Sequence, residues 1–256
     1  MFASLPMYLA PDTAGPYGRL WARIRDGLRD HGIAAPDALD HDTPPAEGWA
    51  RDDLILGQIC NLPLRLGRSN GATLIGTCDH GVADVPPGHY ASAYMVHRNA
   101  SADDPMAYTG GTLAINDAES HSGWGAPQTH AASLGHSWRR AVVSGAHRNS
   151  AALVAEGTAD IAAIDLITLA ILRREDHPAL RDLRMISQTP SAPGMTLITR
   201  HPDPAPFRAV ISDAIATQSP DDRAATGLRG LVTLPDSDYT MLSVPPAPPL
   251  TTASPA

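Results

Sequence analysis

Short apolar runs alternate with helix-periodic segments along nearly the whole chain, and this alternation most restricts the fold. "ASLPMY" (3–8), "DLILGQ" (53–58), "ATLIGT" (72–77), "GTLAIN" (111–116) and "ADIAAID" (159–165) read as strands. "HYASAYMVHR" (89–98) alternates as a longer strand, and "WRRAVVSG" (138–145), "LRMISQ" (183–188) and "PGMTLITR" (193–200) are further ones. Between them, residues 15–32 place Leu20, Trp21, Ile24 and Leu28 at helical spacing, with Pro16 near the start and Gly32 at the end. Residues 149–157, 166–175 and 204–218 are read as three more helices, and another follows residues 116–127. This order predicts an α/β fold with mostly parallel sheets, whose ligands lie at the carboxyl ends of strands. The Pro-rich end "SVPPAPPLTTASPA" is read as disordered.

The 256 residues are enough for one large domain or two lobes with separate cores. A net charge of −8 argues against nucleic acid and against an anionic membrane surface. All 19 basic residues are arginine. The absence of lysine excludes a Walker A lysine, a pyridoxal-phosphate Schiff base and a lysine nucleophile. No apolar run approaches the ~18–20 residues that would cross a bilayer, so no membrane insertion is expected. "MFASLPMYLAPD" has neither the basic flank nor the apolar core of a leader, which keeps a cytoplasmic location open. Cys60 and Cys78 are too few for a disulfide scaffold. Composition favours two free thiols and leaves a bridge open.

Three junctions share one character: "GQICNLP" (57–63), "NDAESHSG" (116–123) and "SGAHRNS" (144–150) put small or polar residues where a helix starts. Exposed N–H groups and the positive end of the helix dipole make such junctions anion sites. Serine hydroxyls add donors without bulk, and glycine lets a ligand approach the backbone. A fourth junction, "AAID" (162–165), ends in a carboxylate. Taken singly, Ser, Asn and Asp at a helix start are ordinary N-caps. Two successive junctions of this kind, followed by an acid at the next strand end, point instead to an oxyanion ligand that still carries a proton or an ammonium group.

In that setting the chain resembles the phosphate/phosphite/phosphonate-binding proteins of ABC importers. The resemblance runs through "LILGQICNLPL", "GHYASAYMVHR", "TLAINDAESHSGW", "VVSGAHRNSAALVAEGTADIAAID" and "LRGLVTLPDSDYTML", in that order. It implies a type II periplasmic-binding-protein fold: two α/β lobes, 1–88 with 191–256 and 89–190, joined by hinge crossings near 87–92 and 188–194. The tail 244–256 would be disordered. It also implies a periplasmic, monomeric, non-catalytic protein without a cofactor or metal, serving an ABC permease and closing its lobes on a small oxyanion. The ligand shell carried over by motif position is Tyr8, Gln58, Tyr90, Ser120, His121, Ser122, Gly123, His147 and Asp165. His121 stands where the family usually has threonine, Ala146 replaces a serine, and Arg148 sits beside His147. Trp124 is read as a core residue or a replacement aromatic wall.

Three other readings follow from the sequence. "LGHSWRR" (134–140) matches a hydrolase nucleophile elbow up to Ser137, but Arg139 takes the place of the closing glycine and the segment runs helix to strand. Eleven histidines include His121, His130, His136 and His147, without a metal-binding spacing. A cytoplasmic sensor or a thiamine-precursor-binding protein of the same fold is the third, and an aromatic sandwich would mark the latter.

Overall fold

The computed structural model describes residues 1–251. It divides into two compact units, Met1–His89 with Pro193–Leu242, and Tyr90–Ala192 with Ser243 onward. In the first unit the chain forms β1 (Phe2–Ala3), α1 (Ala14–Asp30), α2 (Pro45–Ala50), β2 (Leu54–Ile59), α3 (Asn61–Arg65) and β3 (Thr73–Asp79). It leaves through β4 (His89–Tyr90). The second unit contains β5 (Ser92–His97), β6 (Thr112–Ile115), a π-type turn at His121–Gly125, α4 (Ala126–Ser133), β7 (Arg140–Val143), α5 (His147–Ala155), β8 (Ile161–Asp165), α6 (Leu166–Arg174) and β9 (Leu183–Gln188). The chain returns through β10 (Ala192–Pro193) to β11 (Thr196–Thr199), α7 (Ala205–Ala216), α8 (Pro220–Thr226), β12 (Gly230–Val232) and α9 (Asp236–Thr240).

Each unit is built on one five-stranded sheet, ordered β1-β2-β11-β3-β12 in the first and β7-β6-β8-β5-β9 in the second. In the second sheet β6 runs parallel to β7 and β8, while β5 runs against both β8 and β9. In the first, β1 and β2 are parallel and β11 opposes β2 and β3. The main exception to a common strand direction is thus the strand entered just after each crossing, β5 or β11. β12 is a further antiparallel edge.

The cores explain why the elements sit where they do. The apolar stripe of α1, Leu20, Trp21, Ile24 and Leu28, is buried. Gly27 lets α1 lie close to α7, since a Cβ there would come within 2.7 Å of Val210. In the second unit, β8 is buried along its whole length. Ala93, Ala114, Ala151 and Ala162 pack with Val142, Val154 and Ile164. Small side chains on both faces of this contact let α5 approach the sheet closely.

The end of the chain departs from its sequence reading. Ser243–Thr251 belongs to the second unit rather than the first. It is held there: the Ala141 N–H donates to the Pro249 carbonyl (3.0 Å), and the Thr251 N–H donates to the Ala141 carbonyl (2.9 Å). A proline-rich segment has few N–H groups to satisfy and a pre-set extended backbone, so it can lie along an edge strand with carbonyls as its main polar groups. The last part of the expected disordered tail, 252–256, lies outside the described residues. Among the described residues no helix is long and apolar enough to cross a membrane.

Candidate functional site

The site residues of the second unit come from loops that follow three adjacent strands. β6, β7 and β8 run the same way, so the turns after them emerge at one end of the sheet. Those turns carry Ser120–Gly123, His147 and Asp165. This is the carboxyl end at which open α/β sheets bind ligands.

The turn after β6 is fixed by its own residues. Ser120 is the N-cap: its Oγ accepts from the Gly123 N–H (3.0 Å), and its carbonyl accepts from the Trp124 and Gly125 N–H groups (3.1 and 3.0 Å). Gly123 is required by close approach, because a Cβ would fall 2.2 Å from Asn116 Oδ1 and 3.2 Å from the Asn116 nitrogen. Ser92, at the start of β5, donates its hydroxyl to the Ser122 carbonyl (2.9 Å) and ties the turn to the sheet. Ser120 Oγ and Ser122 Oγ lie 3.2 Å apart.

The turn after β7 uses Gly145 in a left-handed conformation, φ +84°, and Ser144 fastened to the Ile115 carbonyl through its N–H (2.8 Å). It delivers His147 as the first residue of α5, with Nε2 2.8 Å from Ser122 Oγ and 3.8 Å from Asp165 Oδ2. His147 is 9% exposed, and its Nδ1 has no hydrogen-bond partner among the described residues. The N-cap of α5 is Ala146, which offers no side-chain acceptor. Asp165, 2% exposed, caps α6 instead: Oδ1 accepts from the Ile167 and Thr168 N–H groups (2.9 and 3.0 Å), and Oδ2 from the Thr168 hydroxyl. Of the three helix mouths, two are closed by protein oxygens and that of α5 is not.

Burial pushes the His147 imidazole below the usual histidine range, with the Asp165 carboxylate opposing the shift. Folded protein then binds fewer protons at this site than unfolded chain does. Its stabilising effect is complete above about pH 6.5 and is lost as pH falls from there toward the folded value. Melting curves recorded from about pH 8 to about pH 5 should decline less steeply for His147→Gln than for the natural chain. Identical slopes would count against a neutral, buried His147.

The remaining predicted residues distribute as follows. Tyr90 and His121 are buried in the second unit, with their rings 6.0 Å apart and tilted by 39°. Tyr8 and Gln58 belong to the first unit. There the Met7 N–H donates to Gln58 Oε1 (3.2 Å), and the Tyr8 ring meets His80 edge-on at 5.0 Å. Arg148 turns to Glu175 (3.1 Å) and is exposed over much of its side chain. Trp124 is a core residue, 1% exposed. Cys60 and Cys78 are free and buried, and burial pushes the Cys78 thiol up to about 12. Among the described residues no group of three or more His, Cys, Asp or Glu side chains is placed to hold a metal ion. Sequence reasoning missed Ser92, Asn116 and Thr168. Ser92 and Asn116 lie inside the motifs given above and Thr168 does not, but none is assigned a role there, because each matters through a contact that folding creates.

Comparison with known proteins supplies the family. Residues 61–239 match the family described as the periplasmic substrate-binding protein of the phosphonate ABC transporter. The chain belongs to this family. Across the phosphonate-binding family's fold the likeness extends further than the matched segment. PhnD1 from Prochlorococcus marinus, solved in complex with methylphosphonate, is 14% identical with a TM-score of 0.70, over 94% of each chain. A Xanthomonas citri protein bound to ATP is 18% identical with a TM-score of 0.68, over 90% of this chain and 92% of that one. The binding component of an ABC phosphonate transporter from Pseudomonas aeruginosa is 16% identical with a TM-score of 0.62, over 86% and 77%. At these identities the likeness establishes the two-lobed periplasmic-binding-protein fold. No curated protein matches the chain.

Proposed function

We propose that this family member captures a phosphonate, phosphite or phosphate ion for import, holding it on the second unit without making or breaking a bond. One observation carries the reading. The mouth of α5 is uncapped, and the residue standing in it, His147, is buried with Nδ1 unpartnered among the described residues and Nε2 against the Ser122 hydroxyl, which in turn lies 3.2 Å from that of Ser120. A small oxyanion would satisfy these groups together, by accepting from first-turn N–H groups, from Ser120 and Ser122, and from the imidazole. Tyr90, His121 and the Gly123 backbone border the same turn. The resemblance adds Tyr8 and Gln58 of the first unit to the ligand's contacts, together with a permease partner, a monomeric state and a periplasmic location.

Asp165 narrows the ligand. Its carboxylate would repel a fully deprotonated anion and accept the hydrogen of a protonated one. Selectivity therefore rests on a ligand O–H.

Catalysis fits poorly. A nucleophilic triad needs the carboxylate on Nδ1 to orient the imidazole. Here Ser122 Oγ and Asp165 Oδ2 both approach Nε2, leaving Nδ1 empty. Ser137, the elbow candidate, is exposed and accepts from Gln128 Nε2 (3.2 Å). At the turn after β6 the Tyr90 and His121 rings are tilted by 39° rather than parallel, a poor sandwich for a flat ring ligand.

Calorimetric titration tests the proposal. Methylphosphonate, phosphite and phosphate should bind and sulfate should not. Asp165→Asn keeps a good N-cap for α6 and should admit sulfate. Equal binding of sulfate by the natural chain would refute the role given to Asp165.

A further inference from the structure

The buried Trp124 indole N–H requires an acceptor, since an unpaired buried donor is costly. It finds one far along the chain: it donates to the carbonyl of Pro246 (2.9 Å). Trp124 itself lies in the turn that presents Ser120, Ser122 and Gly123. Pro246 lies in a run, Val244–Leu250, that contains Pro245, Pro246, Pro248 and Pro249. Such a run is stiff and already extended, so little ordering entropy opposes its docking.

The run is fastened at both ends. Before it, the Leu242 carbonyl accepts from Arg65 Nη1 (2.8 Å) within the first unit. At its far end, Pro249 and Thr251 make one main-chain bond each with Ala141 of β7, and Leu250 bridges Ala141 in parallel sense. The segment thus adds a single parallel bridge to the β7 edge while presenting one carbonyl, that of Pro246, to the turn after β6.

We propose that Ser243–Thr251 is a positioning strap for the ligand turn. Held on β7, it fixes the Trp124 indole, and with it the backbone that aims Ser122 and Gly123. The inference rests on the reading of that turn as ligand-binding, and Trp124 acts through the turn rather than by touching the ligand. Loss of the strap would leave the indole N–H to seek another partner and would loosen the three N–H bonds that close the turn on Ser120.

Two variants test it: a chain ending at Leu242, and Trp124→Phe, which keeps an aromatic ring and removes the donor. Hydrogen exchange of the Gly123, Trp124 and Gly125 amides, measured without ligand, should accelerate by about tenfold in both. Calorimetry with methylphosphonate should show binding weakened about three- to tenfold in each, the scale of one net hydrogen bond. The double variant should bind no more weakly than the worse single one, because both remove the same bond. A purely structural role would lower the melting temperature and leave the affinity of the folded protein unmoved. Unchanged exchange, unchanged affinity or additive losses would overturn the strap. Ser122→Ala separates this failure from failure of the site. If it weakens binding while the strap variants bind normally, the strap is wrong and the site stands. If it binds normally, the site and the strap both fall.

Discussion

Alanine at His147 is expected to weaken methylphosphonate binding by about 2–3 kcal/mol, and alanine at Ser122 by about 1–2 kcal/mol. His147 combines burial, an unpartnered nitrogen and a place at the uncapped mouth of α5. Ser122 shares a 2.8 Å contact with it. Removing the imidazole withdraws a donor from the ligand and leaves the Ser122 hydroxyl with Ser120 as its remaining hydrogen-bond partner among the described residues. The two losses should not add, since the side chains belong to one network. Titration calorimetry of the two single variants and the double variant reads all three numbers. A His147→Ala chain that binds as tightly as the natural one would remove the pocket from the second unit.

Gly123→Ala is expected to damage both stability and binding. The new methyl group would meet Asn116 Oδ1 at 2.2 Å, and the Asn116 nitrogen at 3.2 Å limits how far the turn can yield. Overpacking of this kind typically costs about 1–3 kcal/mol. The turn must also shift away from the geometry that Ser120, Ser92 and Asn116 impose. Chemical denaturation should show the loss of stability. Methylphosphonate affinity should fall with it, by more than tenfold if the Ser122 hydroxyl moves out of reach of His147. Full retention of affinity would mean that the turn's geometry is irrelevant to the ligand.

Much of the fold was legible because apolar strands of a sheet buried on both faces leave an unmistakable pattern. "ADIAAID" is such a strand, β8, while "LRMISQ" corresponds to β9, an edge strand that is mostly half-buried or exposed. Helices α2, α3, α8 and α9 were not, since five to seven residues make too few turns to show a periodicity. "HYASAYMVHR" reads as one strand but breaks at Ala91, between β4 and β5. The crossing falls there, and periodicity carries no mark of it. The proline-rich end misled for a related reason: composition reports the absence of a packed core, whereas this segment docks through carbonyls.

At the site, local chemistry was more informative than expected, and in two directions at once. Ser120 and Asp165 are N-caps, as their residue types suggest, and they also face the region around His147. Arg148 was not legible, because only the fold decides that its guanidinium goes to Glu175.

The central claim is that an oxyanion sits against His147. It is tested most directly by nitrogen NMR of the histidine side chains during a methylphosphonate titration. An anion at the imidazole should move the His147 ring signals and raise its pKa from the depressed value of the ligand-free protein. Saturation that leaves the His147 nitrogens and their titration unchanged would contradict the account.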